Sequence, residues 1–97
     1  MNKTEERYAQ RLEGLRLAGD IHSWRFEAFT LKLAEKRCRY TPDFAVYLPN
    51  GSIQFHEVKG FWRDDARVKL KVAATQFQEF QFVAVQLKKG DWVFEEF

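Results

Sequence analysis

A chain of 97 residues has room for one domain and one hydrophobic core, and its 45% hydrophobic content with ten Phe is enough to build that core. Cys38 is the only cysteine, which excludes an intramolecular disulfide and a cysteine-based zinc site and fits a reducing cytoplasm. No stretch approaches the roughly 18 apolar residues of a membrane span, and the opening Met-Asn-Lys-Thr-Glu-Glu-Arg lacks the apolar run of a signal peptide, so a cytoplasmic protein is expected. The formal net charge of +2 says little by itself, but its distribution says more. Between Lys32 and Lys71 nine Lys/Arg face five Asp/Glu, whereas Asp91, Glu95 and Glu96 make the C-terminal end acidic. A basic centre of this kind suits a polyanion, and equally describes a mixed solvated surface.

Residues 3–18 are expected to be helical. Tyr8, Leu12 and Leu15 recur at helical spacing and Gly19 supplies the stop. Phe26, Phe29, Leu31 and Leu33 give an imperfect strand alternation over 24–33. A second strand is predicted over 38–48, with Phe44, Val46 and Leu48 on one face and Asp43, Ala45 and Tyr47 on the other. Pro49-Asn50-Gly51 reads as a hairpin turn, because Asn and Gly tolerate positive φ, and 53–59 returns as the third strand. Asp64 is the expected N-cap of a helix to about Phe77, with Ala66, Leu70, Ala73, Ala74 and Phe77 as its buried stripe. Phe80 to Leu87 is nearly all apolar, as in a strand covered on both faces, and Lys88-Lys89-Gly90-Asp91 turns into a short final strand at 92–95. No repeat, low-complexity tract or linker divides the chain, so 1–97 is read as one domain.

The chemistry concentrates at the ends of the second and third strands. Glu57 and Lys59 are two residues apart in a strand, so they share a face at roughly 7 Å. Asp43 joins them if the two strands pair. Two carboxylates and an ammonium at one end of a sheet suit phosphodiester hydrolysis, with the carboxylates holding Mg²⁺ and the lysine positioning the attacking water. Taken singly, Asp43 is also explained as a turn residue and Glu57–Lys59 as a surface ion pair. Together, inside an apolar strand flanked by Phe55 and Phe61, the two acids would repel each other unless a cation sits between them.

Tyr40-Thr41-Pro42-Asp43-Phe44 followed by His56-Glu57-Val58-Lys59-Gly60-Phe61-Trp62, between one helix and another, resembles the PD-(D/E)xK nuclease superfamily. It looks especially like the small nuclease-like proteins of bacteriophages and prophages. The resemblance covers the whole chain and implies an α/β restriction-endonuclease-like fold: an αβββαβ core whose mixed central sheet is flanked by two helices. It also implies an endonuclease of DNA, branched or otherwise structured DNA included, in a bacterial host's cytoplasm, leaving a 5′-phosphate and a 3′-hydroxyl. Asp43 and Glu57 are then the metal ligands and Lys59 the catalytic lysine, with Mg²⁺ as cofactor and Mn²⁺ as a substitute.

The family often places a first-helix glutamate at its metal site. Glu5, within about 60° of Tyr8 and Leu12 on the helix, is the candidate catalytic and metal-binding residue for that role, or only complements the helix N-terminus. Arg63, Arg67, Lys69 and Lys71 are candidate DNA contacts, or cations on a wet helix face. Trp62 is placed to stack on an unpaired base, or to cap the core. His56 alternates away from Glu57 and is not assigned to catalysis. Trp24, Trp92, Phe94 and Phe97 are too many for one small core to hide easily, and cutting two strands needs two sites, so a homodimer is expected. The rival reading is a catalytically idle module of the same fold that binds DNA or a protein partner, and RNA cleavage is a third.

Overall fold

The computed structural model describes residues 1–33 and 38–97. Helix α1 (Lys3–Ala18) has the predicted bounds. Asn2 caps it reciprocally: its side chain accepts the Glu5 amide at 2.8 Å, and its own amide donates to Glu5 Oε1 at 2.8 Å. Gly19 ends the helix in the left-handed conformation, φ 85°.

The expected strand over 24–33 is broken. β1 (Ser23–Phe26) stops at Glu27, whose φ of 48° turns the chain and whose amide donates to the Asp43 carbonyl at 2.8 Å. The chain then makes a two-stranded ribbon, β2 (Leu31–Lys32) with β3 (Arg39–Tyr40). Lys36 and Arg37, counted in the basic centre, lie outside the described residues. The expected 38–48 strand is likewise divided into β3 and β4 (Phe44–Tyr47), separated by Thr41-Pro42-Asp43. Pro42 has no amide to give to a ladder, so pairing cannot run through it.

β4 turns through Asn50-Gly51, with Gly51 at φ 90°, into β5 (Ile53–Lys59). Helix α2 (Asp64–Gln76) follows, then β6 (Gln81–Lys88) and β7 (Asp91–Glu96). The N-cap of α2 is Arg63 and carries no side-chain cap bond. Asp64 is the first helical residue, one place inside the expected boundary, where its charge still favours the helix N-terminus.

The main sheet has the order β1-β4-β5-β6-β7, with β5 and β6 parallel and every other pair antiparallel. Each helix covers one face. On one side Tyr8, Leu12 and Ile21 pack with Phe44, Val46, Val58, Val83 and Val85. On the other, Leu70 and Ala73 of α2 pack with Ala45, Phe55, Phe82 and Ala84, and Tyr40 and Leu33 join this cluster from the ribbon. Phe44, Phe55 and Phe82 are fully buried, each worth about 2–3 kcal/mol of transfer free energy. The architecture is the expected mixed α/β one, a mixed central sheet between two helices.

Candidate active site

The break between β3 and β4 builds the site. In the β4–β5 register Phe44 faces His56, so the next pair outward would be Asp43 and Glu57. The ladder is replaced there by side chains. The Asp43 amide donates to Glu57 Oε1 at 3.2 Å, and Asp43 Oδ2 accepts the Val58 amide at 2.8 Å. Tyr40, just before the break, donates its hydroxyl to the same Glu57 Oε1 at 2.8 Å. Lys59 Nζ lies 3.5 Å from Glu57 Oε2. The structure therefore brings Asp43, Glu57 and Lys59 together on the α2 face of the sheet.

Both carboxyls are held in a poor place for negative charge. Asp43 is only 7% exposed. Burial, reinforced by the neighbouring Glu57, pushes its carboxyl up to about 7, against the stabilising Val58 amide and Lys59; Glu5 adds to the rise. Burial also raises Glu57, although Tyr40 and Lys59 pull the other way. The Tyr40 hydroxyl is raised by burial and by Glu57, so it stays a proton donor. A cleft of about 350 Å³ opens beside the pair, lined by Tyr40, Thr41, Glu57, Lys59, Asp65, Ala66 and Lys69.

Glu5 reaches this region through the packing of α1. A Cβ on Gly60 would meet Thr4 Oγ1 at 4.0 Å, so the first turn of the helix sits against the end of β5. Glu5 is felt electrostatically by Asp43, but its Oε1 is engaged by the Asn2 amide. Both readings of Glu5 thus have a physical basis, with the cap the directly observed one.

The candidate DNA contacts divide. Lys69 lines the cleft. Arg63 is exposed at the start of α2. Arg67 forms a two-pronged pair with Glu95 of β7, both bonds 2.7 Å, and lies over the Phe97 ring, while Lys71 borders a separate depression with Glu95, Glu96 and Phe97. Trp62 packs on the α2-side core and its Nε1 donates to the Val85 carbonyl at 3.4 Å. The aromatic beside the site that faces solvent is Phe61, 73% exposed. The sequence took Phe61 as an apolar flank of an interior strand, which its exposure corrects, and gave Tyr40 no role of its own. Tyr40 gave no signal because its role depends on a strand break whose register the sequence does not display.

On the opposite face His56 is buried and neutral, lowered to about 4 by burial and by Arg11. Its Nδ1 accepts the Tyr8 hydroxyl at 2.6 Å and its Nε2 donates to Gln54 Oε1 at 2.9 Å. The Gln54 amide in turn donates to Gln81 Oε1 at 2.6 Å. The aromatic residues expected at an interface are largely used inside. Trp24 packs beside the α1 core, Trp92 meets Tyr8 edge-on at 5.0 Å, and Phe97 packs on the α2 side; Phe94 remains 44% exposed.

Fold and site define an α/β domain with a buried and a half-buried carboxyl and a lysine at the ends of adjacent strands. The chain belongs to the family described as "Protein of unknown function (DUF1064)", whose family model matches residues 2–91. No curated protein and no solved structure gives a match. Among the described residues no helix is long and apolar enough to cross a membrane, and no group of three or more His, Cys, Asp or Glu side chains forms a ready-made metal cage.

Proposed function

We propose that this protein is a Mg²⁺-dependent endonuclease of DNA with a PD-(D/E)xK-type site, acting in the cytoplasm, in a bacterial host if it is phage-encoded. One observation carries the reading: a buried carboxyl, Asp43, and a half-buried one, Glu57, meet at a strand break, both raised, with Lys59 alongside. Buried acids placed this way destabilise one another unless a proton or a cation neutralises them. Their oxygens suit a hard divalent ion, and Mg²⁺, which retains several waters, is commonly held by one or two carboxylates, so a third protein ligand is not required. Asp43 and Glu57 would hold it, with Glu5 as the third, outer candidate; when bound it supplies Lewis-acid stabilisation of the phosphate oxygens.

The residues do the rest. Tyr40 and the Asp43 amide fix the Glu57 carboxylate through Oε1, which turns Oε2 toward Lys59 and the cleft. Lys59 orients the nucleophilic water and stabilises charge on the phosphorane. Lys69 meets the phosphate backbone in the cleft, and Arg63 at its margin. Two chains act together on a two-stranded or branched target, one cut each.

The test is cleavage of duplex, single-stranded, flapped and four-way-junction DNA in Mg²⁺ and in Mn²⁺, with RNA as a comparison and Lys59→Ala as control. Expected is metal-dependent cutting by the wild type and a loss of about 10²-fold or more in rate for Lys59→Ala, with DNA affinity nearly unchanged. Normal cutting by Lys59→Ala would overturn the role given to that residue. DNA binding without any cleavage would support the idle binding module instead.

A further inference from the structure

We infer that Phe61 is a stacking platform for an unpaired nucleobase, so that the preferred substrate presents single-stranded nucleotides next to the phosphate held at the cleft. The inference rests on the nucleic-acid reading above and adds the substrate class.

Isolated exposed apolar residues are ordinary on protein surfaces, so exposure alone says nothing. Position and support are what matter. Phe61 stands 73% exposed two residues beyond Lys59, on the short bridge between the end of β5 and the start of α2. The far side of that bridge is fixed: Trp62 is packed into the α2-side core and bonded to the Val85 carbonyl. The ring is thus presented by a braced backbone while its neighbour, the larger indole, is consumed by the fold.

The surroundings match a nucleotide strand. Lys59 and Lys69 line the cleft together with Glu57 and Asp65, and Phe61 follows Lys59 by two residues in the chain, with exposed Arg63 two residues further on. Two residues of chain span at most about 7 Å, the length of one nucleotide step in an extended strand. A phosphate beside Lys59 therefore places an adjacent base within reach of Phe61. In a continuous duplex both faces of that base are covered by its neighbours. Only an unpaired, unstacked base has a face free for the ring, and such stacking tolerates any base.

The experiment is fluorescence anisotropy in EDTA, where nothing is cut, using an oligothymidylate, an abasic oligomer of the same length, and a duplex. Phe61→Ala should lose about 5- to 150-fold in affinity for oligothymidylate. It should lose little for the abasic oligomer or the duplex, and Phe61→Trp should retain wild-type affinity. Equal losses on oligothymidylate and abasic strands, or no loss on either, would overturn the inference. So would a change in oligomeric state of Phe61→Ala without nucleic acid, which would make the ring a self-association contact. The two readings separate cleanly. If wild type and Phe61→Ala cut duplex and gapped DNA alike, the platform fails and the nuclease stands. If nothing is cut but Phe61→Ala loses single-strand affinity, the nuclease fails and the platform stands.

Discussion

Asp43 is where the chemistry of the site shows most directly in stability. Its folded-state carboxyl lies near 7, against an ordinary value of 3.8, so between those values the folded chain holds a proton that the unfolded chain has lost. Apo stability from this group therefore falls as pH rises from about 4 to 7, by something on the order of 2–4 kcal/mol. His56 works in the opposite sense: its folded value near 4 against 6.5 means its contribution is intact above 6.5 and is lost as pH falls toward 4. Glu57 is raised as well and acts in the same sense as Asp43, so the informative quantity is the difference between a variant and the wild type. Asp43→Asn keeps an acceptor for the Val58 amide and removes the charge. In EDTA it should be more stable than wild type at pH 8 and gain little at pH 4.5, as read by denaturant melts at both. A large loss of stability at pH 8 would mean the carboxylate is structural rather than poised for a cation. The cations separate in the same way. Lys69→Ala should weaken DNA binding and lower the log–log salt slope by about 0.9. Arg67→Ala should leave that slope unchanged, since its guanidinium is engaged by Glu95 and Phe97.

At the level of elements, β5 serves two purposes by alternation. Phe55, Glu57 and Lys59 face α2 and the cleft, while Gln54, His56 and Val58 face α1. Removing the Tyr8 hydroxyl with Tyr8→Phe leaves His56 Nδ1 buried without its donor and should cost about 1–3 kcal/mol. Metal-dependent cleavage at a temperature where the variant is folded should be unchanged, because that hydrogen-bonded chain lies across the sheet from the cleft. Cleavage lost by a folded Tyr8→Phe would draw His56 into the mechanism. The sequence made the regular pieces legible: α1 by its spacing and Gly19, the β4–β5 hairpin by Asn50-Gly51, and β6 by its nearly all-apolar run. What it hid was irregular. The turn at Glu27 requires a positive φ at a residue that rarely adopts it, and the split at Pro42 was masked by an alternation that continues on both sides of the gap. Asp43, Glu57 and Lys59 were readable because hairpin register alone nearly brings them together. The split of Lys69 from Arg67 and Lys71 was not, since it depends on where β7 lies against α2.

For the whole molecule, the exposed edge of the sheet decides whether two chains pair on their own or only on DNA. The surplus of aromatic surface that favoured a dimer is smaller than composition suggests, because Trp24, Trp92 and Phe97 pack against the cores. What remains is the outer edge of the sheet, β7, with Val93 45% and Phe94 44% exposed. Edge strands invite pairing, and β7 against a second β7 would extend the five-stranded sheet across a two-fold axis. The same edge carries Asp91 and Glu96, besides the Glu95 that Arg67 holds, and antiparallel pairing would set like charges close together, which is unfavourable. Free chains should therefore repel at this edge and remain monomeric. Two chains should assemble only where the target supplies two cleavable strands in related positions, the DNA then bearing the cost of bringing them together. Light scattering over a concentration series should show a monomer without DNA and two chains per four-way junction in Mg²⁺-free buffer. One chain per junction, with each strand nicked independently, would overturn the pairing; a dimer without DNA that Val93→Lys dissolves would show instead that apolar contact at β7 outweighs the acidic edge.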